Sequence, residues 1–232
     1  MRKIRQIFSF LISGCNRRIN GFLKSGILIV FLLGLCTVAS SKQPGEVNSD
    51  VAKQEIVSES EKKVLFIIAP TDFADAEYLY PREILEEEGI NVSVASRSLD
   101  EARGMYGARV DPDLLLSEVK VDEYDGIIFI GGIGVRLYWN DEEALRICQE
   151  AVGEGKILAA ICMAPVVLAY AEVLEGVKAT VWSYEKDRLV EKGAIYTGTR
   201  IEVDGKIITG NGPWAARDFG NEILEALKEN LE

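Results

Sequence analysis

Ile157-Leu158-Ala159-Ala160-Ile161-Cys162-Met163-Ala164-Pro165 (ILAAICMAP) decides the fold. Five apolar residues in a row read as a strand buried on both faces. Pro165 suits the first turn of a following helix, placed at Met163 to Ala171. Cys162 therefore stands at a sharp strand-to-helix turn between small neighbours. There the free N–H groups and the dipole of a helix N-terminus favour an anion. Such a setting lowers a cysteine pKa and yields thiolate. The competing reading is a small cysteine filling the core; the position at the turn favours a functional thiol.

Working outward, the same alternation recurs. Lys63 to Ala69 (KVLFIIA), Asn91 to Ser96 (NVSVAS) and Gly126 to Ile130 (GIIFI) are strand candidates, with helices expected at Ala76 to Glu88 and Asp141 to Val152. The first helix holds Pro81 early and is closed by Gly89; Leu79, Ile84 and Leu85 are its expected apolar contacts. Asn140 or Asp141 can cap the second. Val110 to Leu116 reads as a short turn element. Shorter strands are expected at Ala179 to Trp182, Ala194 to Thr197, Ile201 to Val203 and Lys206 to Thr209, the last two joined by a turn at Asp204-Gly205. A final helix carries Phe219, Ile223, Leu224, Leu227 and Leu231 on one stripe. Strands alternating with helices imply an α/β domain with a mostly parallel central sheet, whose ligands bind beyond the carboxyl ends of the strands.

Three loops at those ends carry the candidate chemistry. Cys162 is one. Gly131-Gly132 closes a core strand without side chains, so that its amides, with the N–H of Met163, can form an anion pocket. Glu77, at the start of the first helix, either faces the cysteine or is an ordinary helix N-terminal acid. Buried beside a thiolate, its pKa would rise and it would donate a proton in a hydrogen bond. Asp72 and Asp75 read as loop and capping residues.

Composition narrows the chemistry. The 232 residues are 48% hydrophobic and 27% charged, with a net charge of −11, in the range of a folded domain. The first 45 residues hold Arg2, Lys3, Arg5, Arg17, Arg18, Lys24 and Lys42 and no acid, whereas from Lys62 onward 32 acidic residues face 18 basic ones. So acidic a domain is a poor partner for nucleic acid. Cys15, Cys36, Cys148 and Cys162 form no CxxC pair, which argues against a disulfide framework; Cys148 sits in a helical apolar pattern and reads as core filling. The chain has no histidine. That removes Ser–His–Asp and Cys–His relays and most zinc sites, and no metal or cofactor is expected.

The apolar run Gly26 to Ala39 (GILIVFLLGLCTVA) spans 14 residues, short of the roughly 20 that cross a bilayer. With its basic flank and small residues at Ala39 to Ser41 it fits an export signal. The alternatives are a retained anchor or lipidation at Cys36. Each directs the domain to the extracytoplasmic side. The chain thus divides into a leader or anchor (1–41), a polar linker (42–61) and one domain (62–232), at the cell envelope.

The quoted segments resemble the DJ-1/PfpI family. The likeness rests on FADAEYLYPREIL (Phe73 to Leu85), GIIFIGG (Gly126 to Gly132), AAICMAPVVLA (Ala159 to Ala169) and DGKIITGNGPWAARDFGNEIL (Asp204 to Leu224). It implies a flavodoxin-like three-layer sandwich, commonly dimeric, with a nucleophile elbow. By the same resemblance Cys162 takes the place of the family's reactive cysteine and Glu77 that of its glutamate. Gly132 and Met163 stand where backbone N–H groups form the oxyanion pocket. Members have been assigned as cysteine peptidases, cofactor-free glyoxalases, deglycases and oxidative-stress sensors. This chain departs at two points. Met163 follows the cysteine where one branch has histidine, and Trp182 stands near the histidine position of another. A peptidase triad cannot form, within one chain or with an identical partner. Gly131, Trp182 and Tyr184 complete the expected pocket, made more apolar by these replacements.

Three functions remain as expectations. One is glyoxalase-like conversion of a small 2-oxoaldehyde, without the roughly 10²–10⁴-fold that a further proton shuttle contributes. The second is redox sensing or protection, with oxidation of Cys162 stabilised by Glu77 and the amides. The third is a binding module that has lost catalysis. The expected partners are a small reactive carbonyl or oxidant and a second copy of the chain, with a membrane contact if the leader is retained.

Overall fold

The structure, a computed structural model, describes residues 61–229; the expected leader, nearly all of the linker, and Leu231 lie outside the described residues. Seven strands form the central sheet: β1 (Lys63–Ile67), β2 (Asn91–Ser96), β3 (Leu114–Leu115), β4 (Gly126–Phe129), β5 (Ile157–Ile161), β6 (Ile201–Asp204) and β7 (Ile207–Gly210), in the order β6-β7-β5-β4-β1-β2-β3. All neighbours are parallel except β6 and β7. Every residue of β4 and β5 is buried, as expected of strands covered on both faces.

Five helices flank the sheet: α1 (Asp75–Glu87), α2 (Glu142–Gly153), α3 (Pro165–Tyr170), α4 (Lys186–Glu191) and α5 (Ala216–Glu229). The chain moves from β1 toward β2 on one side and from β4 toward β5 on the other. Right-handed crossovers in opposite directions put α1 and α2 on opposite faces. α1 packs on α5, and α2 on α3. A Cβ on Gly220 of α5 would lie 2.8 Å from the Pro81 Cα, so a glycine there lets the two helices approach. The α5 stripe is as expected, with Phe219, Ile223, Leu224 and Leu227 buried, each contributing about 2 kcal/mol on transfer from water.

The direction reverses between β1 and β4, which is where ligands settle in such sheets. Register brings the relevant ends level: Ile67 pairs with Phe129, Phe129 with Ala160, and Ile161 with Gly210. The loops after β1, β4 and β5 therefore open at one place.

Several local expectations are corrected. Pro81 lies inside α1, at its seventh residue, rather than in its first turn. Its ring nitrogen has no proton to give the Glu77 carbonyl, and the buried contacts of Pro81 offset that loss. Leu79 is exposed, while Tyr78, Pro81 and Leu85 face the core. α3 begins two residues later than expected, after a tight turn. The β6–β7 register pairs Asp204 with Ile207, so the loop is Gly205-Lys206 and not Asp204-Gly205. Gly205 supplies the left-handed φ of 59°, and the Asp204 carboxylate accepts from the Lys178 amide at 2.8 Å. α4 was not foreseen, because its six residues bury only Leu189. Asp141 does cap α2, accepting from the Ala144 amide at 3.1 Å.

Candidate active site

Cys162 follows the last residue of β5 with φ +64°, a conformation that costs a non-glycine residue about 1–2 kcal/mol. Two backbone bonds hold it there. Its amide donates to the Gly210 carbonyl at 2.8 Å, and its carbonyl accepts from the Trp182 amide at 2.8 Å. Strain fixed from both sides marks a position where the geometry matters.

The Gly131-Gly132 loop closes against it. The Gly131 carbonyl accepts from the Ala74 amide at 3.0 Å, tying the end of β4 to the start of α1. A Cβ on Gly131 would fall 2.5 Å from Glu77 Oε2 and 2.6 Å from both the Cys162 Cβ and the Ile161 carbonyl. Glutamate, cysteine and glycine thus crowd one point, where only hydrogen fits. Gly132, at φ +100°, packs on the backbone of Asp72 to Ala74.

Glu77 is fully buried. Its oxygens face the Cys162 side chain and the Gly131 amide, at looser than standard hydrogen-bond geometry. Burial raises its pKa from 4.5 to about 8, against the opposing pull of those two groups. At neutral pH it is a neutral carboxylic acid, a donor rather than an acceptor. Cys162 is buried as well, and burial pushes its thiol up. The charge of Glu77 adds to that rise, while the amides of Gly132 and Met163, which donate to the sulfur, work against it.

The expectation of a thiol lowered by a helix dipole is therefore corrected. α3 is only six residues long and starts at Pro165, so burial and the carboxyl neighbour outweigh it. The two groups titrate as a pair. Both shifts run toward the protonated form, so at neutral pH the resting pair holds the carboxylic acid and the thiol together. The amides of Gly132 and Met163 at the sulfur oppose its rise, and they favour the thiolate once the thiol proton has left.

The pair opens on a cleft of about 530 Å³. Trp182 and Tyr184 line it, together with Gly132, Met163, Met105, Tyr106, Ile133, Arg136, Glu185 and Pro213. Gly131, expected in the pocket from the sequence, does not line it and packs against Glu77 and Cys162 instead. Trp182 packs on Trp214 with ring centroids 5.1 Å apart and on Tyr184 at 6.3 Å. Asp75 is more than a loop or capping residue. The N-cap of α1 is Ala74, with no side-chain bond. The Asp75 carboxylate instead accepts from the amides of Tyr106 and Ala108 at 2.9 and 2.7 Å, pinning the loop that carries Met105 and Tyr106. Asp72 is exposed, but it lies in the three-residue strand Thr71–Phe73 rather than in a loop. Arg136 and Glu185 were missed; Glu185 is buried and paired with Arg136 at 3.0 Å and Arg188 at 2.8 Å. No local pattern links residues 49 apart. Among the described residues no three His, Cys, Asp or Glu side chains converge to ligate a metal ion.

Comparison with known proteins gives this geometry its relatives. A profile described as the DJ-1/PfpI family matches residues 62–226. The chain is 39% identical to the uncharacterized protein MJ0967 of Methanocaldococcus jannaschii, over 73% of this chain and 84% of that protein. It is 32% identical to the deglycase PYRAB04690 of Pyrococcus abyssi, over 71% of this chain and 99% of that one. It is 30% identical to the glutathione-independent glyoxalase DJR-1.2 of Caenorhabditis elegans, over 73% and 90%. The crystal structure of a ThiJ/PfpI domain protein from Brachyspira murdochii superposes with a TM-score of 0.71 at 30% identity, covering 73% of this chain and 98% of that one.

Proposed function

The chain belongs to the DJ-1/PfpI family, and on that premise we propose that it converts 2-oxoaldehydes to 2-hydroxy acids without a cofactor, using Cys162 and Glu77. The observation that carries this reading is the buried, protonated Glu77 beside a sulfur held by two amides, at the floor of a cleft. The deglycase and glyoxalase names of relatives support carbonyl chemistry in general.

The thiolate adds to the aldehyde carbon, and the displaced π pair becomes an alkoxide that takes the Glu77 proton. The Glu77 carboxylate then removes the hydrogen from that carbon as a proton, leaving an enediolate. A proton passes between the adjacent oxygens, and Glu77 returns its proton to the former ketone carbon. The aldehyde carbon has been oxidised to a thioester and the ketone carbon reduced to an alcohol, so no outside electron carrier is needed. Water, giving a proton to Glu77, attacks the thioester; the C–S bond breaks and thiolate is restored. The amides of Gly132 and Met163 stabilise negative charge through the cycle. With no histidine in the chain, Glu77 performs every transfer to and from carbon.

Methylglyoxal with the purified full chain should give lactate, and Cys162→Ser and Glu77→Gln should each abolish it. Lactate formation that survives either substitution would sink the mechanism. A second reading is favoured by the burial of the cysteine itself, since Cys162 is only 7% exposed. The same donors would hold the oxygens of a sulfinate formed by peroxide. Intact mass after graded peroxide separates the two: a gain of two oxygens at Cys162 without lactate formation supports the redox reading. The basic and apolar leader supports placing either activity at the cell envelope.

A further inference from the structure

The cleft above Cys162 is too large and too aromatic for a three-carbon aldehyde. At about 530 Å³ it falls within the range of sites that enclose drug-sized ligands. Its two walls carry large apolar side chains that packing does not use. On one side Tyr106 is 87% exposed and Met105 39%, on the loop pinned by Asp75. On the other, Tyr184 is 84% exposed beside Trp182, which is braced from behind by Trp214. The Trp182 amide donates to the Cys162 carbonyl, which holds the Trp182 backbone beside the elbow. Exposed aromatics gathered at one mouth point to a flat apolar occupant.

Resting on the glyoxalase reading above, we infer that the substrate is a 2-oxoaldehyde bearing an aryl or similarly flat apolar group, which lies between Tyr106 and the Trp182–Tyr184 wall while its aldehyde carbon meets Cys162. Phenylglyoxal, taking up water to become mandelic acid, represents the class. Burying a phenyl ring where methylglyoxal offers a methyl favours the aryl compound by roughly ten- to a hundredfold in affinity.

Binding and turnover are measured separately. The binding probes are mandelamide and lactamide, which are uncharged and cannot react with the thiol, titrated calorimetrically into the full chain. Mandelamide is expected to bind at least tenfold more tightly. Tyr106→Ala and Tyr184→Ala, at exposed positions where folding is not at stake, should each cut that ratio severalfold; Trp182→Ala should cut it most. Equal affinities, or a ratio unmoved by all three substitutions, overturn the inference. Turnover of phenylglyoxal to mandelate should exceed methylglyoxal turnover in kcat/KM by a similar factor. Selective mandelamide binding with no turnover of either aldehyde supports the aryl subsite and overturns the glyoxalase reading instead.

Discussion

Two cysteines of this domain are free and buried, and they could hardly be more different. Cys148 lies in the middle of α2, wholly enclosed, and burial alone raises its pKa. Nothing polar addresses its sulfur. Cys162 is nearly as hidden, yet it sits on a left-handed backbone, receives two amides, faces a carboxylic acid and touches a cleft. Burial by itself makes a thiol inert. What distinguishes Cys162 is that its surroundings supply donors for the charged form, and that the chain accepts strain to put it there.

Alkylation gives the largest test of that contrast. Iodoacetamide on the native protein should modify Cys162 at least about 10³-fold faster than Cys148, which reacts only through opening of α2. Peptide mass mapping over time checks this; equal rates would erase the distinction. Next, Glu77→Gln should abolish aldehyde turnover, because no other group in the chain moves the proton to and from carbon, while Cys148→Ala leaves it within about twofold.

The same carboxyl makes stability pH-dependent. Its folded pKa is raised from 4.5 to about 8, so the native state holds the proton more tightly than the unfolded chain does. The contribution is complete below pH 4.5 and is lost as pH rises to about 8, at a slope of up to about 1.4 kcal/mol per pH unit. Urea melts between pH 5 and 8 should show unfolding free energy falling with pH, and the slope should be absent in Glu77→Gln. A slope that persists in that variant would assign it to other groups.

Gly131→Ala puts a methyl onto Glu77 Oε2 and the Cys162 Cβ. It should cost about 1–3 kcal/mol and slow thiol labelling at Cys162 without affecting Cys148. The smallest effect concerns the backbone alone. Cys162→Gly relieves the positive φ, whereas Cys162→Ala keeps it, so the glycine variant should be more stable by about 1 kcal/mol. At Cys148 the order should reverse, because glycine weakens a helix.

The sequence announced Cys162 through local signals: five apolar residues, a cysteine, then a proline suited to the first turn of a helix. β5 was legible to the residue for the same reason, since a strand buried on both faces must be continuously apolar; β2 was equally legible from its β-branched Val92 and Val94 between small polar residues. Glu77 was ambiguous, because an acid in the first turn of a helix has an ordinary electrostatic explanation; only the family likeness singled it out. The Asp75 contacts with Tyr106 and Ala108 join positions about thirty apart, and no periodicity encodes them. Pro81 misled because its cost is offset by packing against α5, which is tertiary. The thiol pKa was misjudged by weighing a helix dipole and not the burial that opposes it.

The ends of the sheet bear on a different property. At one margin β3 is two residues long and runs straight into a one-turn helix at Leu116–Glu118. At the other, β6 turns against the direction of its neighbours and carries Glu202 and Asp204 next to Arg200. A long, flat, apolar margin would invite other chains to add themselves rung by rung. Here an incoming strand finds a two-rung ladder on one side and a charged four-residue strip on the other, a shape that keeps crowded copies from growing into fibrils.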